Sequence, residues 1–112
     1  ATAYINVRFE IKIPETPANF KAKTGECGSK SIELTWDDVE YESYYKLSRE
    51  SSDYETITIA KNTTSYIDKN VKEGHTYYYE LTACNNKGCS GAVSAGPVAA
   101  PSKCEIFRTL TI

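Results

Sequence analysis

Apolar and polar side chains alternate at every second position along most of this chain, a period that strands satisfy and helices do not. Ile32, Leu34 and Trp36 point one way while Glu33 and Thr35 point the other. Tyr45 and Leu47 repeat the pattern, as do Ile57 and Ile59, and Tyr77, Tyr79, Leu81 and Ala83 give its longest internal run. The first stretch is longer still: Ile5, Val7, Phe9, Ile11 and Ile13 alternate with Asn6, Arg8, Glu10 and Lys12 until prolines at 14 and 17 stop it. No segment carries apolar spacing of three and four over eleven residues, so no helix is expected. Turn residues fall between the runs, in "PETPAN", "TGECGSK", "NNKG" and "GPVAAPS". Short strands at this spacing predict an all-β antiparallel β-sandwich of seven strands, with an extension strand at each end.

A chain of 112 residues fits one hydrophobic core. Its net charge is -2, with 13 basic and 15 acidic side chains interspersed, so neither a phosphate backbone nor an anionic lipid surface finds a basic stripe to hold. Nucleic acid is therefore not an expected partner. Membrane insertion is not expected either, because no stretch approaches the roughly 18 apolar residues of a span.

Four cysteines, Cys27, Cys84, Cys89 and Cys104, point to a disulfide framework and an oxidising compartment. A structural zinc needs two close pairs or a pair with histidines, whereas this chain has one C-x4-C and a single His75. Asn62-Thr63-Thr64 is a glycosylation sequon, which agrees with an extracellular setting.

Catalytic chemistry has few candidates. Asp37, Asp38, Glu40 and Glu42 form an acidic loop that lacks the glycine and fixed spacing of a calcium site, and it reads as a solvated loop. His75 has no nearby nucleophile, and neither a nucleophile elbow nor a phosphate-cradling glycine loop is present. No enzymatic activity and no cofactor are expected. Tyr41, Tyr44 and Tyr78 are the aromatics least easily assigned to a core; they serve as outward cross-strand partners or as a contact surface.

Residues 17–98 resemble a fibronectin type III domain of the bacterial and archaeal variety. The resemblance is carried by "PANFKAK", "IELTWDDV", "YYKLSRE", "SYIDKNV" and "GHTYYYELTACNNKGCSGAVS" in that order. It implies that Trp36 is the buried tryptophan of the second strand and that Tyr77 forms the tyrosine corner, its hydroxyl bonding to nearby backbone. It also implies the cysteine pairing. Cys84 ends the sixth strand and Cys89 begins the seventh, while Cys27 and Cys104 fall at one pole and pair with each other. Cysteines are unusual in such domains, and no Arg-Gly-Asp loop is present, so integrin binding does not carry over. The expected organisation is an N-terminal extension strand over 1–14, the fibronectin type III-like domain over 15–98 and a C-terminal extension strand over 99–112. In that last strand Cys104, Ile106, Leu110 and Ile112 keep phase and Arg108 breaks it.

A free strand over 4–13 exposes an apolar face and unpaired backbone, and something must cover both. It can fold back on its own sandwich, belong to a preceding domain, or complete the sheet of a neighbouring subunit. The third reading predicts a secreted, self-assembling subunit of a cell-surface filament or pilus whose partners are identical copies, with Ile5, Val7, Phe9, Ile11 and Ile13 as donor anchors. The alternative is an accessory, spacer or carbohydrate-contact module of a larger secreted enzyme or adhesin.

Overall fold

A computed structural model describes residues 12–51 and 54–102. Among the described residues every regular element is a strand: β1 Lys21–Thr24, β2 Ile32–Thr35, β3 Tyr44–Glu50, β4 Tyr54–Ala60, β5 Ser65–Asp68, β6 Thr76–Asn85, β7 Gly88–Cys89 and β8 Val93–Ala99. They form two antiparallel sheets. One runs in the order β1-β2-β5, the other β4-β3-β6-β7, with β8 also paired to β6.

The alternation read from the sequence sets which side chains meet between the sheets. Ile32 and Leu34 of one sheet, and Tyr45, Leu47, Tyr79, Leu81 and Ala83 of the other, are almost completely buried. Trp36 closes one end of this core, edge-on to Phe20 at 6.2 Å and tilted against Tyr45 at 5.5 Å. Each such pair adds about 1 kcal/mol beyond area burial alone.

Three local expectations are corrected. The opening strand was expected to continue through Ile13, but Lys12 and Ile13 belong to no strand. Pro14 and Pro17, both buried, cannot donate to a ladder, and the segment is held by side chains instead. "GPVAAPS" was expected to break the last sandwich strand at residue 96, yet β8 continues to Ala99. The reason is a bulge. Tyr77 pairs with Val98 and Tyr79 with Ala95, so Gly96 and Pro97 together face Tyr78, and a proline lacking its N–H is tolerated there. Gly96 has φ 115°, and a Cβ would lie 2.8 Å from the Tyr77 carbonyl oxygen, so only glycine fits. The run "CSGAVSA", read as one returning strand, is split into β7 and β8 around Ser90–Ala92.

One polar group crosses the core. Arg49 continues the inward phase of Tyr45 and Leu47 on β3, and its Nη1 donates to both carboxylate oxygens of Asp68 on β5, at 2.9 and 2.8 Å. Both side chains are buried. Tyr79 on β6 donates its hydroxyl to the same carboxylate at 2.8 Å, the Asn70 amide donates at 3.0 Å, and Arg49 Nη2 pairs with Glu55 on β4. Burial works against the Arg49 charge, but Asp68 and Glu55 outweigh it and raise the guanidinium pKa.

Removing one partner strands the other charge in the core. Asp68→Ala is expected to cost about 3–5 kcal/mol in urea denaturation, whereas Arg49→Met combined with Asp68→Leu loses less because no charge is left unpaired in the core, Glu55 being half exposed to solvent. Burial, then the bond to Asp68, raises the Tyr79 pKa. A phenol in the unfolded chain titrates near about 10, so the folded state keeps a proton that the unfolded state loses above that pH. The stabilisation is complete below pH about 10 and falls as pH rises further, and in Tyr79→Phe the measured fall is shallower.

Candidate functional site

The described chain begins at one pole of the sandwich and ends at the other. At the first pole the β2–β3 loop, the β4–β5 turn and the β6–β7 hairpin converge. The Ser43 amide donates to the Cys84 carbonyl at 2.7 Å, Trp36 to Thr64 at 3.0 Å, and the Asn62 amide to the Glu42 carboxylate at 2.8 Å. Lys12 is held at this pole. At the opposite pole Gly28 donates to the Ser102 carbonyl at 3.1 Å and Ala100 to the His75 carbonyl at 2.8 Å.

Asn85 organises the first pole, a role that the sequence reading did not assign to it. Its side-chain amide donates to the carbonyls of Lys12 at 2.5 Å and Tyr41 at 3.0 Å. Its Oδ1 accepts from the Lys87 and Gly88 amides at 2.8 and 3.2 Å. One buried side chain therefore ties the entering segment, the β2–β3 loop and the hairpin turn together. From there the segment passes β7 and the residues after it: a Cβ on Gly88, where φ is 156°, would come within 3.3 Å of Ile13 Cδ1, and one on Gly91 within 3.2 Å of Thr16 Oγ1. Ile13, expected as a donor anchor, thus sits against its own hairpin, while still 46% exposed. Ile5, Val7, Phe9 and Ile11 lie outside the described residues.

A cleft of about 640 Å³ opens between this segment and the acidic loop, lined by Lys12, Ile13, Asp37, Asp38, Glu40 and Tyr41 among others. Two of its carboxylates are engaged. Asp37 accepts from Asn19 Nδ2 at 2.6 Å and Asp38 from the Tyr45 hydroxyl, while Glu15 and Glu40 also line the cleft; Glu42, buried beside it, accepts from the Asn62 amide. Burial, then the bond to Asp38, raises the Tyr45 pKa. Among the described residues no three His, Cys, Asp or Glu side chains converge as metal ligands.

Cys84 and Cys89 are directly opposed on β6 and β7 and form a disulfide with Cα atoms 4.0 Å apart. Cys27 is also disulfide-bonded; Cys104, its expected partner, lies outside the described residues, as does Arg108. Tyr77 accepts a hydrogen bond from the Lys72 amide at 2.7 Å, the geometry of a tyrosine corner, and its ring lies 6.0 Å from the Arg49 guanidinium. Trp36 is buried. Asn62 is exposed in the turn after β4 with φ 64°, and His75 is exposed at the corner before β6.

The tyrosines separate by position. Tyr41 is 52% exposed in the β2–β3 loop, and Tyr44 is half-buried on the outer face of β3. Tyr54 and Tyr78, 69% and 51% exposed, flank Glu50 on the outer face of the β4-β3-β6 sheet, and Tyr54 donates to Ser48 Oγ at 3.0 Å. Glu80 pairs with Ser48 in the next row.

These features define a β-sandwich module with a fibronectin type III-like fold. The chain is similar to the crystal structure of FN3tt at 22% identity and a TM-score of 0.71, covering 80% of this chain and 97% of that one. It is similar to the solution structure of the fn3 domain of human collagen alpha-1(XX) chain at 19% identity and a TM-score of 0.66, covering 80% and 90%. It also matches the twitchin kinase region from C. elegans at 16% identity and a TM-score of 0.67, where 88% of this chain covers 18% of that one. No family model matches the sequence, and no curated protein does.

Asn85→Ala leaves two carbonyls and two turn amides without their partner. The expected loss is about 1–3 kcal/mol of stability, with amide exchange accelerating first at residues 12–16 and in the β2–β3 loop.

Proposed function

We propose that this chain is a non-enzymatic, extracellular structural module of bacterial or archaeal type, a subunit of a surface filament that polymerises by β-strand addition through Ile5, Val7, Phe9 and Ile11. The supporting observation is the placement of the two ends. The alternating run joins the sandwich at the pole of Lys12 and Asn85, and the described chain leaves at the pole of Gly28 and Ser102. A contact made from one pole of each copy onto the body of the next is heterologous, and when its rotation does not close it propagates as a filament. In this reading the donor ends at residue 11, because Lys12 and Ile13 lie against the chain's own hairpin. The Cys84–Cys89 disulfide agrees with assembly outside a reducing cytosol.

A second reading, a carbohydrate-contact module of a larger secreted protein, draws on the exposed rings of Tyr41, Tyr54 and Tyr78. Light scattering and negative-stain microscopy separate the two. The full chain is expected to form concentration-dependent assemblies, and removal of residues 1–11 is expected to give a folded monomer. Unfolding on that deletion assigns the run to the chain's own core, and a monomeric full chain that is retained on polysaccharide favours the second reading.

A further inference from the structure

We propose that the free edge of β4, Tyr54–Ala60, is the acceptor that pairs with residues 5–11 of a second copy of this chain. This deepens the strand-addition reading above and rests on it.

Among the described residues the other edges of the sandwich are closed or short. β8 abuts β1, where Thr24 Oγ1 donates to the Ala99 carbonyl at 2.8 Å. β7 has only two residues, and Ile13 of the same chain lies against its Gly88. The remaining flank is formed by β4 and β5, each the last strand of its sheet. β5 has four residues and β4 seven, the same number as Ile5 through Ile11. A row of unpaired N–H and C=O groups on an edge of that length is a template for another strand.

The side chains of β4 lack the devices that usually blunt an edge. "YETITIA" has no proline and no lysine, and its one inward charge, Glu55, is engaged by Arg49. Ile57 points inward yet remains half-buried at this flank, and Tyr66 of β5 is likewise half-buried against the core. An added strand extends this inner surface with the apolar face of the run, Ile5, Val7, Phe9 and Ile11.

Charge on the opposite face is complementary. Glu50 and Glu80 have no ion pair among the described residues; Tyr54 and Tyr78 flank Glu50, and Ser48, Ser94 and these four residues outline a cleft of about 130 Å³. Lys46 lies two positions along β3, opposite Thr58 and Thr82. The polar face of the run carries Arg8 at its centre, and a guanidinium suits both carboxylates and tyrosine rings.

The chain's own run is poorly placed to take this edge. It departs beside β7, and β4 lies three strands away, about 14 Å at the usual spacing. Crossing that pole uses about four residues at ~3.3 Å each and leaves only Ile5 and Val7 of the apolar face to pair.

The test places the photo-crosslinker p-benzoylphenylalanine at Thr58 of the full chain, with Ser65 on β5 as a second probe position, in a mixture of isotopically light and heavy chains. The expected result is a light–heavy product in which Thr58 captures a peptide from residues 1–12. Assemblies in which Ser65 captures that peptide and Thr58 does not overturn β4 as the acceptor while strand addition stands. Capture at Thr58 within one copy overturns the exchange between copies. Absence of any assembly overturns the strand-addition reading, and this proposal with it. Arg8→Glu is expected to raise the concentration needed for assembly about tenfold, with Glu50→Lys in the same chain restoring it; an unchanged concentration in Arg8→Glu overturns the charge match.

Discussion

The Arg49–Asp68 ion pair holds the two sheets in one arrangement. The hydrophobic effect brings two apolar faces together but is non-directional and leaves their relative slide undetermined. The guanidinium fixes that slide, because β3 supplies the cation, β5 supplies the anion and Tyr79 of β6 caps the same carboxylate. Asp68 also accepts the Asn70 amide at the start of the corner that Tyr77 closes through Lys72. Packing and corner are therefore mechanically joined at one buried carboxylate. A pair of this kind contributes little net stability relative to apolar side chains of equal volume, and its value lies in the single geometry that it permits.

From that geometry follows which edges are shielded. Docking β1 beside β8 closes one flank, and the capture of Lys12 by Asn85 seats Ile13 against Gly88 of β7. β4 and β5 are left at the other flank, where inward-facing Ile57 and Tyr66 remain only half-buried. The hydrogen bond from Asn85 fixes Lys12 at the pole of the β6–β7 hairpin, three strands from β4 in the sheet order.

Strand identity was legible because burial of one face imposes a period of two that neighbouring residues display directly. Tyr45 and Leu47, and Tyr77 through Ala83, are buried as their alternation implies. The same phase carries Arg49 inward, which the alternation of Tyr45 and Leu47 was not extended to include, and a charge at an inward position names no partner. Asp68 sits nineteen residues away on the other sheet, and only strand pairing brings the two together. "GPVAAPS" misleads for a related reason: proline breaks a ladder only where its missing N–H would have been used, and the bulge opposite Tyr78 removes that requirement. Asn85 looked like a turn former, and it is one, yet two of its four bonds reach segments remote in sequence.

The sequence alone determined the all-β character, the faces of its strands and the closeness of Cys84 and Cys89, since each of these depends on residues a few positions apart. The tertiary structure decided the ionic bridge between the sheets, the seating of Lys12 and Ile13 at the hairpin and, among the described residues, the place of β4 as the last strand of its sheet. These depend on how distant strands pack, and a periodic pattern carries no information about which face meets which.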